Sequence, residues 1–187
     1  MKGAKYSMVD SIAQIVASFL AILLLTSVTE KLINWKKSIN KITYYKIIPK
    51  KLNPIVFFLG TAIEIYLAIK LIANHFSLID CILYSVLLIT YSTAIAINLY
   101  KGHIRISCGC GGVLESDQLS WKHLLRNTLL IIFGITVYIN NTSLEVYTLD
   151  FVINLLTGAN LVMLYGIIKE FDLQKKRIQR IKLIIKI

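Results

Sequence analysis

Proline, cysteine and acidic side chains are all scarce in this chain, which has two prolines, three cysteines and ten Asp and Glu against 21 Lys and Arg in 187 residues. The prolines, Pro49 and Pro54, fall together in one linker and leave the rest of the length without proline breaks. No Cys-x-x-Cys pair is present, which excludes a self-sufficient thioredoxin-like exchanger. Flavin and haem motifs, internal repeats and low-complexity runs are also missing. No polar stretch is long enough to build a second, water-soluble domain.

What the chain has instead is apolar length. Apolar residues make up 56% of it, and the mean hydropathy is +0.68, more apolar surface than a soluble domain of this size can hide. A spanning helix needs about 20 largely apolar residues. Five stretches approach that: Ile12 to Val28, Ile55 to Ala73, Leu78 to Leu99, Leu124 to Ile139 and Leu149 to Ile168. The first lacks a small-residue cleavage site and reads as a retained span, with the mature chain starting near Met1. The fold class expected is an all-α integral membrane helical bundle. Residues 1–145 form a core of four transmembrane helices, and 146–187 hold a fifth with a basic tail.

The formal charge of +11 would point to nucleic acid in a soluble protein, but in a membrane protein the position of each cation carries the information, and no nucleic-acid partner is expected. Seven lysines (Lys31, Lys36, Lys37, Lys41, Lys46, Lys50, Lys51) are assigned to the first connection, and four cations (Lys101, Arg105, Lys122, Arg126) to the third. Seven more follow the fifth span, from Lys169 to Lys186. With five spans these regions share one face. The positive-inside rule then puts the N-terminus outside a bacterial inner membrane, with the tail and the third connection in the cytoplasm. The tail alternates cations with Ile178, Ile181, Ile184 and Ile185. That pattern suits either a basic helix on anionic headgroups or a solvated stop-transfer segment.

Cys108 and Cys110 stand two apart in the glycine-rich run Cys108-Gly109-Cys110-Gly111-Gly112. A disulfide across one residue demands a tight backbone turn, which Gly109 and Gly111 permit. A strained, accessible bridge of that kind is oxidising and exchangeable. Arg105, Lys122 and Arg126 lie near enough in sequence to favour a thiolate. Three readings stand at this point: a redox pair, inert thiols in a turn, and a metal site completed by His103 and His123. Cys81 begins the third span, roughly a membrane thickness away at about 1.5 Å per residue, and reads as a small buried hydrophobe.

Glu64 falls in mid-span, where an ionised carboxylate is costly unless paired. Lys31, Arg126 and Asn98 are its candidate partners. Its role is either that of a polar clamp between helices or that of a proton acceptor or quinone-side group beneath the cysteines. Asn98, Tyr100, Arg126 and Asn127 are expected to line a cavity under the cysteine loop. No cofactor is evident from motifs; a quinone is the one the polar site would suit.

From about Ser18 to Ile139 the order of these features resembles the MauE family, related in architecture to DoxX-like four-helix membrane proteins. The matching stretches are Thr29-Glu30-Lys31-Leu32, Tyr44-Tyr45-Lys46-Ile47-Ile48-Pro49, Glu64, Ala96-Ile97-Asn98-Leu99-Tyr100-Lys101-Gly102, Cys108-Gly109-Cys110-Gly111, and Trp121 through Arg126-Asn127. Family loops carry a phenylalanine after the second cysteine, where this chain has glycine. The resemblance implies a membrane factor that helps form disulfides in an exported partner, in that family the small subunit of methylamine dehydrogenase, alongside a thioredoxin-like protein. It does not identify methylamine as the pathway of this chain. It implies chemistry at the outer face, whereas the charge bias puts the loop inside. The site expected is Cys108 and Cys110 as the exchanging pair, supported by Gly109, Gly111, Lys31, Glu64, Asn98, Arg126 and Asn127. A membrane scaffold without catalysis and a metal-handling protein are the alternatives.

Overall fold

The computed structural model describes residues 8–45, 49–102, 111–112, 119–140 and 149–185, with side chains left aside at 8–10, 150, 176–177 and 179–185. Among the described residues there are six α-helices and no strand. They are α1 (Met8–Ile33), α2 (Trp35–Tyr45), α3 (Asn53–Ile72, preceded by a 3-10 turn, Lys50–Leu52), α4 (Leu78–Tyr100), α5 (Trp121–Ile139) and α6 (Leu149–Ile185). Five of these helices are long and apolar enough to cross a membrane, as the sequence predicts, and the chain is a multi-pass helical membrane bundle.

The helices form because long apolar runs leave no backbone group unpaired in a lipid setting. The hydroxyls scattered through them are handled the same way. Thr61 donates to Phe57 O, Ser85 to Cys81 O and Ser92 to Leu88 O, each at 2.8 Å, so each returns to its own helix one turn back. α4 opens with a capping box in which Ser77 and Asp80 satisfy one another's backbone N–H.

α1 is the centre of the bundle, packed against α3, α5 and α6, and more of it is buried than of any other span. Leu20, Ala21 and Leu24 meet Leu67, Leu71 and Val162 in the main apolar core. α6 runs parallel to α1. Asn154 donates to Gln14 Oε1 at 2.5 Å, and one turn further on a Cβ at Gly158 would lie 2.8 Å from Ser18 Cβ, the same offset in both pairs. Small residues let these two backbones approach, which is how spanning helices associate when lipid removes any hydrophobic drive.

α4 and α5 run antiparallel and are fixed at three levels. Tyr100 meets Trp121 edge-on at 5.9 Å, Asn127 Nδ2 donates to Ser92 Oγ at 3.1 Å, and Tyr84 OH donates to Leu130 O at 3.2 Å. Cys81 is buried in the main core at the far end of α4 from Tyr100, as expected of a small hydrophobe.

Two details differ from the sequence reading. Residues 35–45, expected as part of a lysine-rich linker, form α2, an amphipathic helix that buries Ser38 and Tyr45 and exposes Lys36, Lys37 and Tyr44. It is fastened to the start of α3 by Asn53 Nδ2 donating to Thr43 Oγ1 at 2.7 Å. Lys31, grouped with the cations of the first connection, belongs to α1 and is turned inward, only 6% exposed. A cation there needs an anion inside the bundle, and Glu64 supplies it.

Candidate functional site

The site grows from the last two turns of α1. Ser27 and Lys31 stand four residues apart on one helix face, so they present a hydroxyl and an ammonium one above the other. α3 brings Glu64 against that face, 1% exposed. Lys31 Nζ lies 2.5 Å from Glu64 Oε1, Tyr91 OH from α4 donates to the same oxygen at 2.7 Å, and Ser27 Oγ donates to Oε2 at 3.2 Å. Lys31 Nζ also donates to Tyr91 OH at 3.3 Å and sits 5.0 Å above that ring. Both carboxylate oxygens are therefore satisfied, as a charge inside a bundle requires.

Directly against this cluster lies the chain that follows the cysteines. Gly111 and Gly112 both have positive φ, at 75° and 58°. A Cβ on Gly111 would fall 2.9 Å from Ser27 O, 3.2 Å from Ser27 Oγ and 3.3 Å from Lys31 Cγ. A Cβ on Gly112 would fall 2.6 Å from both Thr26 C and Thr26 O. The Gly112 N–H donates to the Glu30 carboxylate, which also pairs with Lys41 of α2 at 3.8 Å. The two glycines thus seat the end of the cysteine run flush on α1, over Ser27 and beside Lys31. Cys108, Gly109, Cys110 and His103 lie outside the described residues.

A second polar group joins α4 to α5 at the same end of the bundle. Asn127 is buried, and its Oδ1 accepts from Arg126 Nε at 3.4 Å and Nη2 at 3.2 Å. Asn98 is fully buried; its Nδ2 donates to Ala94 O at 3.0 Å, while its Oδ1 has no partner among the described residues. Of the three candidates named for Glu64, Lys31 is the one that binds it. Arg126 is engaged by Asn127 instead, and Asn98 turns to its own helix. Tyr100, expected in the lining, is 84% exposed and packs on Trp121. His123 lies in the first turn of α5, and no cluster of three His, Cys, Asp or Glu side chains that could hold a metal ion is found among the described residues.

Sequence reasoning missed Ser27, Glu30 and Tyr91. Hydroxyls in spans ordinarily bond to their own helix, so nothing marks Ser27 and Tyr91 as exceptions. Glu30 did carry a signal: it lies in the Thr29-Glu30-Lys31-Leu32 stretch, beside a lysine that must itself be neutralised.

The family model described as "Methylamine utilisation protein MauE" matches residues 9–140. A relative from Paracoccus denitrificans, "Methylamine utilization protein MauE", is 24% identical over 119 residues, and the chain spans 64% of that relative's length and aligns over 64% of its own. A second, from Methylophilus methylotrophus and of the same name, is 27% identical over 164 residues, covering 87% of this chain and 85% of its own length. No solved structure matches. The matched range holds four of the five spans and every residue of the cluster around Glu64, and the chain belongs to the MauE family.

Proposed function

We propose that this protein is a membrane redox accessory whose Cys108 and Cys110 exchange a disulfide with an exported partner protein and so support that partner's maturation. In the step, two partner thiols become a disulfide while the bond between Cys108 and Cys110 breaks, and two electrons and two protons pass to the pair. A thioredoxin-like disulfide then takes both back. A role in methylamine utilisation follows the names of the two relatives and belongs to this proposal.

The observation that supports the reading is the seating of Gly111 and Gly112 on α1 against a buried ion pair. An ordinary surface turn has no need of two glycines pressed onto a helix backbone. A thiol pair that must meet partners in one geometry does, because exchange requires an in-line approach of sulfur to sulfur.

The charge distribution supports an orientation with the cysteine end of the bundle in the cytoplasm and the N-terminus outside, in which the partner's thiols meet the pair before that partner is exported. Trapping tests the exchange. With Cys110→Ser in the producing bacterium, the lone Cys108 thiol attacks the thioredoxin-like disulfide and, with no second thiol to displace that protein, accumulates as a mixed disulfide with it, recovered by non-reducing gel and mass spectrometry. If the double Cys→Ser variant sustains full partner maturation, the scaffold reading replaces this one.

A further inference from the structure

We propose that α2 and the turn before α3 form a docking surface for anionic phospholipid, with Lys36, Lys37, Lys50 and Lys51 as the groups that meet the lipid phosphates. This is independent of the thiol chemistry above. α1 and α3 are consecutive spans, so α2 and the Lys50–Leu52 turn lie at one membrane face. α2 has 11 residues, about 16 Å of helix, too short to cross a bilayer. Its hold on the start of α3, through Asn53 and Thr43, keeps it beside the mouth of a span, at headgroup depth.

The charge at this face is one-sided. From Lys31 to Ile63 the sequence carries seven lysines and no Asp or Glu. Two of the seven are engaged by the bundle: Lys31 is buried on Glu64, and Lys41 lies 3.8 Å from Glu30. Lys36, Lys37, Lys50 and Lys51 are exposed, and no carboxylate pairs with any of them among the described residues. Ammonium groups gathered at a membrane face without protein anions are complementary to the phosphates of anionic lipid.

The apolar side chains beside these lysines favour lipid over an acidic protein as the occupant. Leu32 and Ile33 at the end of α1, Trp35 at the start of α2, and Leu52 and Ile55 at the entry to α3 are all exposed. They form a collar at the ends of two spans, where acyl chains begin. The Lys36 ammonium stands over the Trp35 ring at 5.5 Å, and Tyr44 is exposed near the other end of the helix. Trp and Tyr are the side chains that gather at the headgroup boundary. A lipid meets both halves of this surface, its phosphate against lysine and its acyl chains against the collar. An acidic protein matches the charge alone.

The test places the full chain in nanodiscs of phosphatidylglycerol or of phosphatidylcholine and follows amide hydrogen exchange over residues 35–45. An 11-residue helix is marginal without something to dock on, and it cannot open without lifting its lysines from the phosphates. Each lysine at an anionic surface is worth about fivefold, so Lys36 and Lys37 together should slow exchange about 25-fold in phosphatidylglycerol relative to phosphatidylcholine. The first turn of α4, at the opposite face, should exchange alike in both. Replacing Lys36, Lys37, Lys50 and Lys51 by Gln, all at exposed positions, should abolish the difference over α2. Equal exchange of wild-type α2 in the two lipids would overturn the proposal, and so would a lipid-dependent slowing that survives the four substitutions. Equal exchange in both discs, with protection appearing only in native membrane vesicles that keep their proteins, would replace the lipid with an acidic protein.

Discussion

Replacing Gly112 by alanine isolates what seats the cysteine run on α1. The new Cβ would fall 2.6 Å from the Thr26 carbonyl carbon and oxygen and 2.8 Å from Ser27 N. All three are backbone atoms of a buried helix, so the loop must move rather than the helix. The left-handed φ of 58° costs a non-glycine residue roughly 1–2 kcal/mol. Lifting the chain away also breaks the hydrogen bond from Gly112 N–H to the Glu30 carboxylate, and bonds to charged groups contribute about 1.5–3 kcal/mol. Together these come to about 2.5–5 kcal/mol of docking free energy, or a fall of roughly two to three and a half decades in the docked-to-undocked ratio at about 1.4 kcal/mol per decade. Hydrogen–deuterium exchange over the peptide containing Gly111 and Gly112, in nanodiscs, reads that ratio directly. Gly102→Ala is the internal control: its φ is 74°, yet nothing lies within 4 Å of its added Cβ, so it carries the backbone strain without the collision. Equal exchange in the Gly112→Ala and wild-type proteins would refute the seating argument.

The buried pair makes a second prediction. Lys31→Met leaves the Glu64 carboxyl buried without its cation and should lower stability by about 3–5 kcal/mol, while adding Glu64→Leu to it should restore most of the loss; thermal unfolding in detergent measures both. Gly158→Ala should loosen the α1 to α6 contact, because its Cβ would meet Ser18 Cβ at 2.8 Å and Phe19 N at 2.9 Å. Overpacking of that kind costs about 1–3 kcal/mol, and the same unfolding assay checks it. Cys81→Ala removes a core sulfur far from the loop and should change stability only modestly while leaving thiol exchange at the wild-type rate, which alkylation kinetics will show.

The bundle was legible because five apolar runs of spanning length admit no other fold in lipid. The Lys31–Glu64 contact was legible for a related reason: a mid-span carboxylate demands a partner, and Lys31 was among the few cations near enough to reach it. α2 was hidden because hydropathy averaged over a span-length window erases an amphipathic helix. Its buried residues Ser38 and Tyr45 do stand two helical turns apart among the lysines. Arg126 was counted with the third connection, whereas α5 begins at Trp121 and carries it inside the helix. Asn154, a polar blemish in an apolar run, is explained by Gln14 on the parallel helix. The glycines after Cys110 were read as freedom for a turn. Their use in close contact depends on which helix lies opposite, and no local sequence pattern encodes that.

Whether Cys108 and Cys110 exchange a disulfide is decided by differential alkylation of intact cells and of purified protein with membrane-permeant and impermeant thiol reagents. The expected result is a reversible disulfide between the two cysteines, with the reduced thiols labelled in cells only by the permeant reagent. Two thiols that stay reduced under oxidant and can be changed to serine without effect would contradict the redox claim. Labelling by the impermeant reagent would contradict the orientation.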